Sequence, residues 1–174
     1  VGAINTSGSA ANSGNNNGGD AGAVDITSAE SGGAQSITLQ GDINTEGGAL
    51  SGSGSDGTTT VASITLANSG APGGTVTLGT LANFYTSNFS INGSSGADEL
   101  VGPTVTAVEN LWTVSSTNTG NITDSTTTPT STINFSGFET LTGGDLQDDF
   151  TVNADVTTIN GGADIDTFNL STGV

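Results

Sequence analysis

The chain has 174 residues with 12 Asp, 5 Glu and no Lys, Arg or His, so its net charge is -17 with no cationic side chain to offset it. This composition excludes salt bridges between side chains, nucleic-acid binding, which needs Lys or Arg to displace phosphate counterions, and triads or zinc sites built on His or Cys. The carboxylates are left to face water, accept hydrogen bonds or take cations from solution.

Residues 5–20, with Asn15-Asn16-Asn17-Gly18-Gly19, read as a long surface loop or a locally disordered stretch. After them the apolar residues recur with period two. Val24-Asp25-Ile26 alternates, then Ile37-Thr38-Leu39, Ile64-Thr65-Leu66, Val76-Thr77-Leu78, Phe89-Ser90-Ile91, Ile133-Asn134-Phe135, Phe150-Thr151-Val152 and Phe168-Asn169-Leu170. Each predicts a short strand, apolar side in and polar side out. Gly-Gly, Asn-Gly and Pro-Gly separate them, and no segment has the 3.6 period of a helix. Ser115–Ser131, with Thr126-Thr127-Thr128-Pro129, reads as a protruding loop. No apolar run approaches the roughly 20 residues of a membrane span, so no membrane insertion is expected. The absence of Met reads as a processed or excerpted segment.

Strands this short and this evenly spaced predict an all-β chain wound as a parallel β-solenoid. In such a fold Val, Ile, Leu and Phe stack inside, and the acidic groups stay outside. Residues 1–174 read as one continuous unit: 1–82 rich in Gly, Ser and Thr, and 83–174 holding all the aromatic residues. Trp112 is expected to fill a wide part of the core.

Three segments share one frame. Gly143-Gly144-Asp145-Leu146-Gln147-Asp148-Asp149-Phe150 is followed 18 residues later by Gly161-Gly162-Ala163-Asp164-Ile165-Asp166-Thr167-Phe168, and Gly93-Ser94-Ser95-Gly96-Ala97-Asp98-Glu99-Leu100 precedes both. A Gly opens the turn, an Asp follows five residues on, and a large apolar residue follows two after that. Gly permits positive φ, so that carbonyls can turn toward an ion. Asp supplies the hard oxygen that calcium prefers. The frame resembles the nonapeptide of RTX-type secreted bacterial proteins, in which a Gly-Gly turn and an Asp bind calcium ahead of an inward apolar residue. The resemblance implies calcium between stacked turns, with Asp148 and Asp166 as equivalent ligands, Asp145, Asp149 and Asp164 nearby, and Asp98 in the third copy. The frame departs from that family in lacking a tandem run, since Val152–Val156 has no Gly-Gly. From the residues alone a second reading stands beside it, in which these are Gly-Asp turns whose carboxylates face water.

Gly19-Asp20-Ala21-Gly22-Ala23-Val24-Asp25-Ile26 and Gly41-Asp42-Ile43-Asn44-Thr45 are similar to large secreted bacterial haemagglutinin-like exoproteins. Asn110-Leu111-Trp112-Thr113-Val114 and Phe135-Ser136-Gly137-Phe138-Glu139-Thr140-Leu141 are similar to the repeats of giant bacterial surface proteins. That likeness implies a right-handed β-helix outside the cell. The function expected is a structural subunit or tandem-repeat unit of an extracellular fibre, matrix or adhesin. Its partners would be copies of itself, head to tail, or neighbouring repeats. The alternative is a calcium-dependent adhesive module for glycans or surfaces. No enzyme is expected: adjacent strand residues such as Asp148 and Asp149 point to opposite faces, which does not suit a pair of catalytic acids.

Overall fold

The computed structural model describes residues 4–5, 8–10, 17–28, 33–39, 43–45, 47–57, 59, 62–67, 72–79, 84–85, 89–104, 109–124 and 132–171. It is all-β, with short strands in parallel and mixed sheets and no helix among the described residues. A three-stranded sheet holds β1 (Ile4–Asn5), β4 (Ile43–Asn44) and β7 (Phe84–Tyr85). A five-stranded sheet runs in the order β15 (Thr158–Asn160), β13 (Thr140–Thr142), β9 (Glu99–Val101), β6 (Thr75–Leu78), β3 (Ser36–Leu39). The eight-stranded sheet runs β16 (Thr167–Leu170), β14 (Asp148–Val152), β10 (Asn110–Ser116), β11 (Thr119–Asp124), β12 (Thr132–Ser136), β8 (Phe89–Asn92), β5 (Ala62–Leu66), β2 (Val24–Ser28). From β1 to β9 the chain visits the three sheets in strict rotation, and each strand pairs in parallel with its counterpart one round later. From β12 to β16 it alternates between the eight-stranded and five-stranded sheets.

All eight alternating triplets are strands, and their register carries the apolar residues into columns. One column of the eight-stranded sheet is Val24, Ala62, Phe89, Ile133, Ile122, Trp112, Phe150 and Phe168. Its neighbour is Ile26, Ile64, Ile91, Phe135, Gly120, Val114, Val152 and Leu170. The five-stranded sheet contributes Ile37, Val76, Leu100, Leu141 and Ile159. Most of these side chains are buried in a single apolar cluster. The columns follow from the pairing rule itself: a register shift of one residue would turn every apolar side chain to the opposite face.

One expectation is corrected. Ser115–Ser131 is not a loop throughout. β10 continues to Ser116, turns at Thr117-Asn118 with Asn118 at φ 52, and returns as β11, antiparallel to both β10 and β12. β11 shows no apolar alternation because its two buried positions are Gly120 and Ile122. Gly is required at 120, since a Cβ there would fall 1.9 Å from the Thr113 carbonyl oxygen and 2.8 Å from the Phe135 ring. Residues 125–131 lie outside the described residues. Within 5–20, residues 8–10 and 17–20 form no strand and none of them is buried, as a surface loop requires; Gly18 donates to Ser55 O at 2.9 Å, and Gly48 donates to Gly19 O at 2.8 Å. Residues 11–16 lie outside the described residues.

At β16 the two columns end uncovered, with Phe168 46% and Leu170 67% exposed. Core position and end position therefore differ sharply in worth. Ile64→Ala, at a fully buried site, is expected to cost about 2–5 kcal/mol, and Leu170→Ala about 0.5 kcal/mol. Urea unfolding followed through the fluorescence of the single Trp checks both; equal losses would mean that the end is as well packed as the middle.

Candidate functional site

The repeated turn places its Asp in the interior. Asp98 and Asp148 are fully buried, so the expectation that acids stay outside fails at these two positions. The physical reason is the pleat. Each Asp stands two residues before an inward apolar residue, Leu100 or Phe150, and period two puts both on the same face.

The surroundings of both carboxylates are hydrogen-bond donors. Asp98 Oδ1 accepts from the Gly74 N–H at 2.5 Å, while Oδ2 accepts from the Ser94 N–H and from Ser94 Oγ at 2.8 Å. Asp148 Oδ1 accepts from Trp112 Nε1 at 2.8 Å and Asn110 Nδ2 at 2.9 Å; its Oδ2 accepts from the Gly144 N–H at 2.7 Å. In both copies the Asp thus caps an N–H four residues back in its own turn and reaches a donor in a neighbouring round. The Asp backbone N–H then donates to an acid of the following round: Asp98 to Glu139 Oε2 at 2.9 Å, and Asp148 to Asp166 Oδ1 at 3.0 Å. Glu139 also accepts from Asn118 Nδ2 at 2.8 Å, which ties the β10–β11 turn to the same ladder.

The opening glycines act by close approach rather than by positive φ. Gly162 is at φ +99, but Gly93 and Gly143 are not among the positive-φ glycines. A Cβ at Gly143 would fall 1.9 Å from the Gly161 carbonyl oxygen of the next round, and one at Gly93 would fall 1.9 Å from the Gly137 oxygen.

The sequence-predicted calcium ligands separate into two groups. Asp98 and Asp148 lie in donor-lined cradles, which fit a carboxylate. Asp145 and Asp164 are exposed, and Asp149 and Asp166 are half-buried. Asp149 accepts from Gln147 Nε2 at 3.3 Å, and Asp164 accepts from the Ile165 N–H at 3.0 Å. Among the described residues no group of three or more acidic side chains converges to hold a metal ion. Trp112, 1% exposed, fills the core as expected. Its ring stacks on Phe150 at 5.1 Å, and Phe150 stacks on Phe168 at 5.3 Å. Sequence reasoning missed Asn110, whose spacing two residues before Trp112 repeats that of Asp148 before Phe150.

Burial pushes the Asp148 carboxyl above the ordinary carboxylate range. Hydrogen bonds from Trp112, Asn110 and Gly144 pull it back, and the Asp166 charge adds to the upward push. No protein-family model matches the chain, and no curated protein or solved structure is significantly similar to it.

Three outcomes follow. Asp148→Ala strands three donors and is expected to cost about 3 kcal/mol, against about 0.5 kcal/mol for Asp145→Ala at the surface. Because the folded pKa of Asp148 is raised, its folded state holds the proton more readily than the unfolded chain. Its contribution to stability therefore falls as pH rises through the interval between its ordinary and raised values, and is level above it. Urea unfolding across mildly acidic to neutral pH is expected to show a steeper loss for the natural chain than for Asp148→Asn; equal slopes would remove Asp148 as the titrating group. A chelator is expected to leave the thermal midpoint unchanged, and a lowered midpoint would return calcium to these turns.

Proposed function

We propose that the chain is a right-handed parallel β-solenoid serving as a structural unit of an extracellular fibre, matrix or surface adhesin, without catalytic activity. The rotation of successive strands through the same sheets in the same order supports the solenoid reading. The observation that carries the function is the match between the two edges of the eight-stranded sheet. β2 and β16 run parallel to one another, and both carry the two inward columns. A copy, or a neighbouring repeat, stacked on β16 would continue them as Phe168 on Val24 and Leu170 on Ile26, with Ile159 on Ile37 in the five-stranded sheet. Such a contact does not close on itself, and contacts of that kind generate fibres. An open edge is otherwise an aggregation hazard that natural sheets cover or charge.

Both ends carry acids, Asp164 and Asp166 near β16 and Asp20 and Asp25 near β2. With no cation in the chain, stacking needs counterions to screen that repulsion. An external, cation-rich medium supplies them, which supports an extracellular setting.

The test is electron microscopy and light scattering of the purified chain with and without divalent cations. Filaments are expected when cations are present. Phe168→Asp combined with Leu170→Asp is expected to abolish them while leaving the monomer folded. Monomers at every cation concentration would overturn the reading.

A further inference from the structure

The chain contains three Asn-Gly pairs, Asn17-Gly18, Asn92-Gly93 and Asn160-Gly161. Such pairs are open to a specific self-reaction because Gly has no Cβ to block its own nitrogen. The structure treats the three differently. The Gly18 N–H donates to Ser55 O at 2.9 Å, and Asn17 Oδ1 accepts from the Ser55 N–H at 3.0 Å. The Gly93 N–H donates to Ser136 O at 2.8 Å, and Asn92 Oδ1 accepts from Ser136 Oγ at 3.0 Å. Each of these pairs is clamped at both reacting groups by a serine of another round. Asn160 stands at the end of β15, the outermost strand of the five-stranded sheet, and is exposed. Among the described residues the Gly161 N–H has no acceptor. The Gly162 N–H donates to Asn160 Oδ1 at 3.3 Å, which draws electron density away from the side-chain carbonyl carbon.

We infer that Asn160-Gly161 is a site of spontaneous covalent self-modification, while Asn17-Gly18 and Asn92-Gly93 are held inert by their bonds to Ser55 and Ser136. The Gly161 nitrogen loses its proton and attacks Asn160 Cγ. The new N–Cγ bond forms a cyclic imide, the Cγ–Nδ2 bond breaks, and ammonia leaves with the proton. Water then opens the imide at either carbonyl. The net change is Asn plus water to aspartate or isoaspartate plus ammonia, with no oxidant or reductant.

The site is restrained as well as exposed. The Asp166 carboxylate lies against Gly161, since a Cβ there would fall 2.0 Å from Oδ2. Its charge opposes loss of the Gly161 proton, so the folded pair reacts more slowly than the same pair in an unfolded chain. The product places one more carboxylate, or an isoaspartyl kink, at the edge of the sheet. The reaction concerns the unassembled chain, since stacking on β15 as proposed above would cover Asn160 and Gly161.

The test is incubation of the folded chain and of the chain unfolded in urea, both at mildly alkaline pH. Fragments are then mapped for the mass gain of amide to acid and for isoaspartate. Trypsin has no site, because Lys and Arg are absent, so the chain is cut at Glu. In urea all three pairs are expected to convert, and Asn160→Gln to abolish the product at that position alone. In the folded chain Asn160 is expected to convert about tenfold or more faster than Asn17 and Asn92, as protection by stacked hydrogen bonds requires. Equal rates for the three in the folded chain would overturn the inference. So would a folded chain in which Asn160 stays intact while the unfolded one reacts.

Discussion

Asp98 and Asp148 carry carboxylates into an apolar interior, in a chain with no positively charged side chain to meet them. Burying a carboxylate without a partner costs far more than one apolar contact returns. The partners here are N–H groups, and they are correctly placed only while neighbouring strands keep their register. Asp148 takes donors from its own turn and from β10, and its N–H is taken up in turn by Asp166 of the following round. Each inward acid thus pins three successive segments. The apolar columns alone tolerate exchange of one aliphatic residue for another; a charge in a donor-lined cradle does not tolerate a shift of register.

The same arrangement explains how one turn motif serves along the sheet. Gly opens the turns at 93 and 143 because the next round's backbone passes too close for a side chain. The Asp then closes the turn by capping an N–H four residues back. In the last copy that cap is missing: the Gly162 N–H turns to Asn160 instead, and Asp166 lies over Gly161. Among the described residues no further round is stacked on this turn, and the standard cap is missing there too.

Much of this was legible in the sequence. Alternation of apolar and polar residues located eight strands because a half-buried strand can scarcely be encoded otherwise. It failed for β11, where Gly120 and Ile122 face inward and only one is a recognisable apolar side chain. It failed for the very short β4 and β7, whose two residues carry no period. The inward polar groups were also readable: Asp98, Asn110 and Asp148 each precede an inward Leu, Trp or Phe by two residues. Their burial was missed because charge was weighed ahead of pleat parity. Half of the donors that make the burial tolerable come from rounds 24 to 38 residues away, and only strand pairing brings those donors close.

The central claim is that a buried Asp148 carboxylate is held by neutral donors, the Trp112 indole among them. The chain has one Trp, so its indole N–H gives a single nuclear magnetic resonance signal. A titration followed on that proton and on the carboxyl carbon of Asp148 tests the claim directly. Both are expected to move together, at a pH above the ordinary carboxylate range. An indole signal indifferent to pH while Asp148 titrates like a surface acid would contradict it.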